Sequence, residues 1–178
     1  MTASTFPGVH PKGAYFTRGS GHTQFGTYTE DATEYQIVLD RLVRKFATAK
    51  RLVPEPVFEG SGKAQAAIVS LGSCDGAIHE ALDVIAARGV QLDYMRVRGF
   101  PFGEEVEKFL DEHEIIYVVE QNRDAQLKSL LTLETRVEKS KLRSLLHYSG
   151  LPVSSKFIVD GVLADLGEGR RAVTGVAS

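Results

Sequence analysis

The chain has 178 residues, 43% of them hydrophobic and 25% charged, which is the composition of an ordinary globular protein. With 21 basic and 23 acidic residues it has no basic excess to favour a polyanion, so nucleic acid is not expected as a partner. The single cysteine, Cys74, excludes an internal disulfide and a four-cysteine zinc or iron–sulfur site built from this chain alone; no run nears the ~18 apolar residues that cross a bilayer and no signal-like start is present, so a reducing, cytoplasmic setting away from membranes is expected.

Residues 1–33 are rich in Gly, Thr and Ser, and Gly8, Gly13, Gly19, Gly21 and Gly26 interrupt any period, so this stretch reads as an irregular arm. Thr33 followed by Gln36 has capping-box spacing and predicts a helix start. Tyr35, Val38, Leu39, Leu42 and Phe46 then form one apolar stripe, and the helix stops before Pro54. Lys50 to Lys63, with Pro54, Pro56, Gly60 and Gly62, reads as a linker.

Three strand–helix units follow. Ala64 to Leu71 is a continuous apolar run ended by Gly72-Ser73, as in a strand covered on both faces. The helix after it takes Ser73 as N-cap, turns Ile78, Ala81, Leu82 and Ile85 inward, and ends at a left-handed Gly89. Val90 to Val97 is a second strand, followed by a turn at Gly99 to Gly103 and a helix carrying Val106, Phe109 and Leu110. Ile115 to Val119 is a third, followed by Glu120-Gln121-Asn122 and a helix with Leu127, Leu130, Leu131 and Glu134 for which Asn122 is the natural cap. This alternation predicts an α/β fold of three layers, α/β/α, around a mostly parallel sheet.

Thr135 with Glu138 reads as a further capping box, opening a helix to about His147 that Gly150-Leu151-Pro152 ends. A last helix begins near Ser154 or Ser155 with Ile158, Val162 and Leu166 inward, although Lys156 to Val159 also reads as a strand. The chain divides into 1–63 (arm, helix and linker), 64–167 (α/β core) and 168–178 (a tail expected to fray).

Gly19-Ser20-Gly21-His22-Thr23 resembles a phosphate loop in composition, but it follows no strand and lacks the Lys-Ser/Thr ending, so the simplest reading is an arm packed on another surface. Arg18, with its fork of donors, and His22, with its neutral-range proton, keep a binding role open. Gly72-Ser73-Cys74-Asp75-Gly76 lies at the carboxyl end of the first predicted strand, the edge where open parallel sheets bind ligands. A helix cap is the simplest role for Ser73, and Cys74 has a position where a thiol pKa is lowered. Glu120-Gln121-Asn122-Arg123-Asp124 ends the third strand on that edge and could bind a ligand, orient a neighbouring subunit or satisfy the loop backbone, the last being the default. His10, His79, His113 and His147 show no metal-ligand spacing and are expected to be solvated or at helix ends.

Taken together, the segments resemble a known family. Gly13-Ala14-Tyr15-Phe16-Thr17-Arg18-Gly19-Ser20-Gly21-His22-Thr23, then Tyr28-Thr29-Glu30-Asp31 and a basic amphipathic helix, resemble the late portion of the α subunit of 2-oxoacid:ferredoxin oxidoreductases, with the 2-oxoglutarate branch the most similar. Gly72-Ser73 with Ala77-Ile78-His79-Glu80-Ala81-Leu82, Pro101-Phe102, and Glu120-Gln121-Asn122-Arg123-Asp124-Ala125-Gln126-Leu127 are similar in order and spacing to the family's second core domain, itself like the C-terminal domain of transketolase. The resemblance spans about Pro7 to Leu166.

The resemblance implies a thiamine-diphosphate and magnesium enzyme that decarboxylates a 2-oxoacid, sends two electrons through an iron–sulfur cluster to ferredoxin and forms the acyl-coenzyme A. The family's Tyr-Pro-Ile-Thr-Pro-like motif, its Gly-Asp-Gly motif, which Cys74-Asp75-Gly76 matches only in part, and its cluster cysteines do not occur in this sequence. What is implied here is a C-terminal piece of an α subunit that binds no cofactor by itself and acts with the remaining α-subunit domains, a β subunit and ferredoxin. No catalytic or metal-binding residue is implied in it; the implied rim or subunit contacts are Arg18, Gly19, Gly21, His22, Ser73, Glu120, Gln121, Asn122 and Gln126. The competing reading is a stand-alone flavodoxin-like module that binds a small ligand or a partner through the Gly72 and Glu120 loops, for which the long arm ahead of the first strand has no use.

Overall fold

The structure is a computed structural model and describes Phe6, residues 8–11 and residues 21–174, with side chains through 167. It divides into two units, Met1–Arg51 and Leu52–Ser178.

In the first unit, helix α1 spans Ala32–Ala49. Its start is set by Asp31 rather than by the Thr33–Gln36 pair. Asp31 is extended and its Oδ1 accepts from the Glu34 N–H at 2.9 Å, whereas Thr33 already lies inside the first turn. Ahead of it, Gly21 to Thr29 double back, with the Thr29 N–H bonded to the Gly21 carbonyl at 3.0 Å and the Thr23 N–H to the Thr27 carbonyl at 2.8 Å. A Cβ on Gly21 would lie 2.5 Å from the Tyr35 ring, so only glycine lets this backbone rest on α1.

In the second unit, β1 (Val57–Glu59), β2 (Ala66–Leu71), β3 (Leu92–Val97), β4 (Ile115–Glu120) and β5 (Leu142–Leu146) form one sheet in the order β1-β3-β2-β4-β5. β1 is antiparallel to β3 and every other pairing is parallel. The helices are α2 (Asp75–Ala86), α3 (Glu104–Glu112), α4 (Gln126–Glu134) and α5 (Ser155–Thr174). Strand alternation assigns the two faces. Ala66, Ile68, Tyr117 and Val119 pack with Ile78, Ile85, Ile158 and Val162 of α2 and α5, while Ala67, Val69, Ile116 and Val118 pack with Val106, Leu110, Leu127 and Leu131 of α3 and α4. The expected three-layer α/β architecture is therefore present, with the central strands buried on both faces.

Two elements differ from the sequence reading. β1 lies inside the expected linker, too short and too closely bounded by Pro56 and Gly60 to carry a period. No helix follows Thr135. Thr135 closes α4 by donating its hydroxyl to the Leu131 carbonyl at 2.7 Å, and a 3-10 turn at Lys139–Lys141 leads into β5. The last helix, expected from Ser154 or Ser155, is α5, which rules out the strand alternative at Lys156 to Val159.

At the amino edge of the sheet, Asp93 of β3 is buried and holds the preceding loop closed. Its Oδ1 accepts from the Gly62 N–H at 3.0 Å, and its Oδ2 accepts from the Ala64 N–H at 2.9 Å and from His113 Nε2 at 3.1 Å. His113 Nδ1 donates to the Phe109 carbonyl at 2.7 Å, so this histidine ends α3 as a buried brace, not as a solvated side chain. Burial pushes the Asp93 carboxyl up, but the bonds from His113, Ala64 and Gly62 outweigh it and hold the pKa below the usual carboxylate value. A depressed folded-state pKa contributes stability above the unfolded value, and that contribution is lost as pH falls through the folded value. Asp93→Asn is expected to cost about 1–3 kcal/mol at pH 7. The gap to wild type should narrow as pH is lowered below about 4, where Asp begins to protonate when unfolded. Denaturant melts of both proteins from pH 7 to pH 3 check this, and a constant gap would refute it.

Candidate functional site

The parallel pairings align the carboxyl ends of β2 and β4, and the helices that follow these neighbouring strands lie on opposite faces. This is a topological switch point, the place where an open α/β sheet leaves a crevice. Ser73, Glu120, Gln121, Asn122 and Gln126, all singled out from the sequence, are at this edge. Leu71, Val119, Leu127 and Leu130 join Glu120, Gln121, Asn122 and Gln126 around a cleft of about 290 Å3.

Strand alternation continues past the last core residue. Glu120 falls two residues after Val118, on the side of α4, and its buried carboxylate accepts from the Leu127 N–H at 2.6 Å and the Lys128 N–H at 3.1 Å. Gln121 falls on the other side. Its Nε2 donates to Ser73 Oγ at 2.9 Å and its Oε1 accepts from the Val153 N–H at 3.0 Å, tying the start of α2 to the segment that enters α5.

Asn122 is not the N-cap of α4. It lies four residues before Gln126, and the cap position is taken by Ala125 in a left-handed conformation (φ 51°). Asn122 Oδ1 accepts from the Asp124 N–H at 3.0 Å and the Gln126 N–H at 3.3 Å, and its Nδ2 donates to Glu120 Oε2 at 2.8 Å. The carboxylate that serves the first turn of α4 comes from the strand, so local spacing rules do not find it. Nor does Ser73 cap α2. It lies in the 3-10 turn Gly72–Cys74, and its hydroxyl is the acceptor for Gln121. Cys74 is buried, and burial pushes its thiol pKa up; Gln121 lowers it and Glu120 raises it, with a net rise opposite to the expected activation.

Of the arm residues, Arg18 and Gly19 lie outside the described residues. Gly21 rests on Tyr35, and His22 is exposed with Nδ1 donating to the Thr23 carbonyl at 2.7 Å. The sequence reading missed a polar network beside the switch point. Tyr94 donates to Asp75 Oδ1 at 2.9 Å, Arg96 donates to Asp75 Oδ2 at 3.0 Å, and Ser70 lies 2.8 Å from the Tyr94 hydroxyl. Burial, more than its partners, raises the Tyr94 pKa. The only sequence signal was Tyr94 and Arg96 alternating within β3.

The implied cofactors can be tested against these groups. A magnesium diphosphate site needs oxygen ligands free to reach the cation, but both Asp75 oxygens are engaged, and no cluster of three metal-ligating side chains occurs among the described residues. A single cysteine cannot hold an iron–sulfur cluster. These residues do not fit either group.

No protein-family model matches the sequence. Over 163 residues, 88% of this chain, it is 32% identical to subunit alpha of 2-oxoacid:ferredoxin oxidoreductase 2 from Aeropyrum pernix. The chain is a homologue of one segment of the 2-oxoacid:ferredoxin oxidoreductase α subunit. The corresponding subunit of Saccharolobus solfataricus is 27% identical over 160 residues, 87% of the chain, and the chain spans about a quarter of the length of both relatives. The fold is shared with a structure of 2-oxoglutarate:ferredoxin oxidoreductase from Magnetococcus marinus with 2-oxoglutarate, coenzyme A and succinyl-CoA bound. That likeness has a TM-score of 0.71 at 23% identity and covers 88% of this chain and 27% of that one.

A pair of substitutions distinguishes the observed geometry from simple capping. An Asn122→Asp carboxylate would keep the acceptor but would face Glu120 where the amide now donates, so it should destabilise more than Asn122→Ala, which is expected to cost about 0.5–2 kcal/mol. If urea melts at pH 7 show Asn122→Asp as stable as wild type, the Glu120 contact has no energetic weight.

Proposed function

We propose that this chain works as part of a 2-oxoacid:ferredoxin oxidoreductase of the 2-oxoglutarate type, as a bracing and active-site-rim element of the α subunit. The complete complex would use thiamine diphosphate with magnesium, an iron–sulfur cluster and coenzyme A, and would draw on the remaining α-subunit domains, a β subunit and ferredoxin, in the cytoplasm. Thiamine diphosphate supplies the carbanion chemistry of 2-oxoacid decarboxylation when bound. In this reading, that chemistry belongs to other parts of the complex.

The observation that carries the assignment to rim and assembly is the state of the switch-point crevice. Glu120, Gln121 and Ser73 are committed to the chain's own hydrogen bonds, so what the crevice offers a neighbour is a rigid, shaped edge and not a reacting group. The amide of Gln126 is the crevice side chain with the fewest internal ties, and with Asn122 it is assigned to rim contact. Arg18, Gly19, Gly21 and His22 are assigned to an anionic substrate, a coenzyme or subunit docking. A stand-alone flavodoxin-like module would share the order β3-β2-β4-β5. The relatives favour the oxidoreductase, because the matched 88% of the chain necessarily takes in α1 as well as the sheet: fewer residues are left over than precede that helix.

Two measurements test this. The complex reconstituted with and without this chain should reduce ferredoxin in a 2-oxoacid-dependent manner only when the chain is present, faster with 2-oxoglutarate than with pyruvate; equal turnover without it would overturn the reading. In the same complex, Arg18→Ala is expected to weaken anion binding or docking, with partial rescue by Arg18→Lys because a point charge does not reproduce the guanidinium fork. The melting temperature of the isolated Arg18→Ala chain should stay within about 2 °C of wild type, because its role is assigned to the assembly and not to this chain's fold.

A further inference from the structure

We propose that the apolar stripe of α1 is the docking surface for that portion of the α subunit which the relatives carry beyond the matched stretch, and that the partner receives it in an apolar groove flanked by carboxylates. This rests on the proposed membership of the complex and adds the surface and its chemistry.

Tyr35, Leu39, Leu42 and Phe46 recur at helical spacing over more than three turns, and all remain 38–55% exposed; Val43, on the same side, is 69% exposed. Of the whole helix only Val38 is buried. An apolar stripe of this length, left uncovered, marks an interaction face. Helices with this pattern owe most of their stability to the surface that covers the stripe.

Charge selects the occupant. Residues 32–51 carry Arg41, Arg44, Lys45, Lys50 and Arg51 against Glu34 and Asp40, and none of the five cations has an ion-pair partner among the described residues. Lys45 lies three residues after Leu42, and Lys50 four after Phe46, so both border the stripe. Pairing α1 with a second copy of itself would bring two such basic borders together, which like-charge repulsion opposes, whereas carboxylates on a different surface would complement them. The relatives supply the candidate: in them the counterpart of α1 belongs to a chain about four times as long, with most of its residues outside the match.

Zero-length carbodiimide coupling of the complex isolated from its own cells joins a lysine amine directly to a carboxylate it touches. Sequenced cross-linked peptides are expected to connect Lys45 or Lys50 with an Asp or Glu of α-subunit sequence outside the matched stretch. Val43→Glu/Phe46→Glu is expected to weaken that association at least about tenfold, as loss of a central apolar anchor does. Leu133→Glu, an exposed apolar position on α4, should leave it unchanged. The isolated double variant should melt within about 2 °C of wild type. A larger fall would mean that the chain covers this face itself, and links from α1 only to another copy would mean self-association; either overturns the proposal. If α-subunit sequence co-purifies but Lys45 and Lys50 stay unlinked and the double variant still assembles, the docking surface is wrong and the proposed function stands. If none co-purifies, both fail.

Discussion

The carboxyl edge of the sheet depends on two adjacent side chains at the end of β4 pointing to opposite faces. Because strand residues alternate, Glu120 must face α4 and Gln121 must face α2 and α5. The strand order places α2 and α4 on opposite faces, so one layer cannot be fixed from this strand without the other being fixed by its neighbour. A charged acceptor is used toward α4, where two helix N–H groups of the first turns, those of Leu127 and Lys128, would otherwise be buried or half-buried without a partner. A neutral amide is used on the other side, where one donor and one acceptor are required at the same point. Exchanging Glu120 and Gln121 would keep the composition and lose both matches.

The amino edge solves the same problem with a different carboxylate. Asp93, in the second position of β3, accepts from two loop N–H groups and from His113, and so closes the Gly60 to Ala64 segment against the end of α3. Gly60 is required there: its φ is +109°, and a Cβ would come within 2.3 Å of Asp93 Oδ1. The two edges therefore differ in consequence. Asp93 fixes the loop that lines a cleft of about 410 Å3 together with Phe58, Phe109 and His113, whereas Glu120 stiffens the rim of the smaller cleft at the carboxyl edge.

Legibility followed the range of the interactions. The strand–helix units from Ala64 to Glu134 could be read because their apolar runs and helical stripes are local, and a parallel sheet buried on both faces needs continuous apolar strands. Gly89 was legible for the same reason, since a left-handed helix end is a one-residue requirement. Thr33, Ser73 and Asn122 were misread in one common way: each has cap-like chemistry at cap-like spacing, and a competing group took the cap position or a partner distant in sequence took the side chain; Thr135 instead closes the helix before it through the Leu131 carbonyl. Asp31, two residues before Thr33, holds the position just ahead of the helix, Gln121 claims Ser73 from 48 residues away, and Glu120 reaches past Asn122. β5 was hidden because only Leu142 is fully buried at this sheet edge, so neither a period of two nor a continuous apolar run is present. At the carboxyl edge of the sheet, the positions of Ser73, Glu120, Gln121, Asn122 and Gln126 were legible and their hydrogen-bond partners were not, because polar side chains at a strand end carry no local sign of which neighbour they will meet.

The first unit stands in a different energetic position from the sheet. The sheet strands bury residues on both faces and are tied at both edges, so the second unit contains its own source of stability. α1 has an N-cap and good helix formers, but isolated helices of this length are marginal in water, and this one buries a single residue. The Gly21 backbone covers part of the Tyr35 ring and leaves Leu39, Leu42, Val43 and Phe46 exposed. A segment built this way draws little stability from burial of its own, and a surface that covered the stripe would add to it. Burial alone thus separates the units: one has a core on both faces of its sheet, and the other leaves most of its apolar helix face exposed.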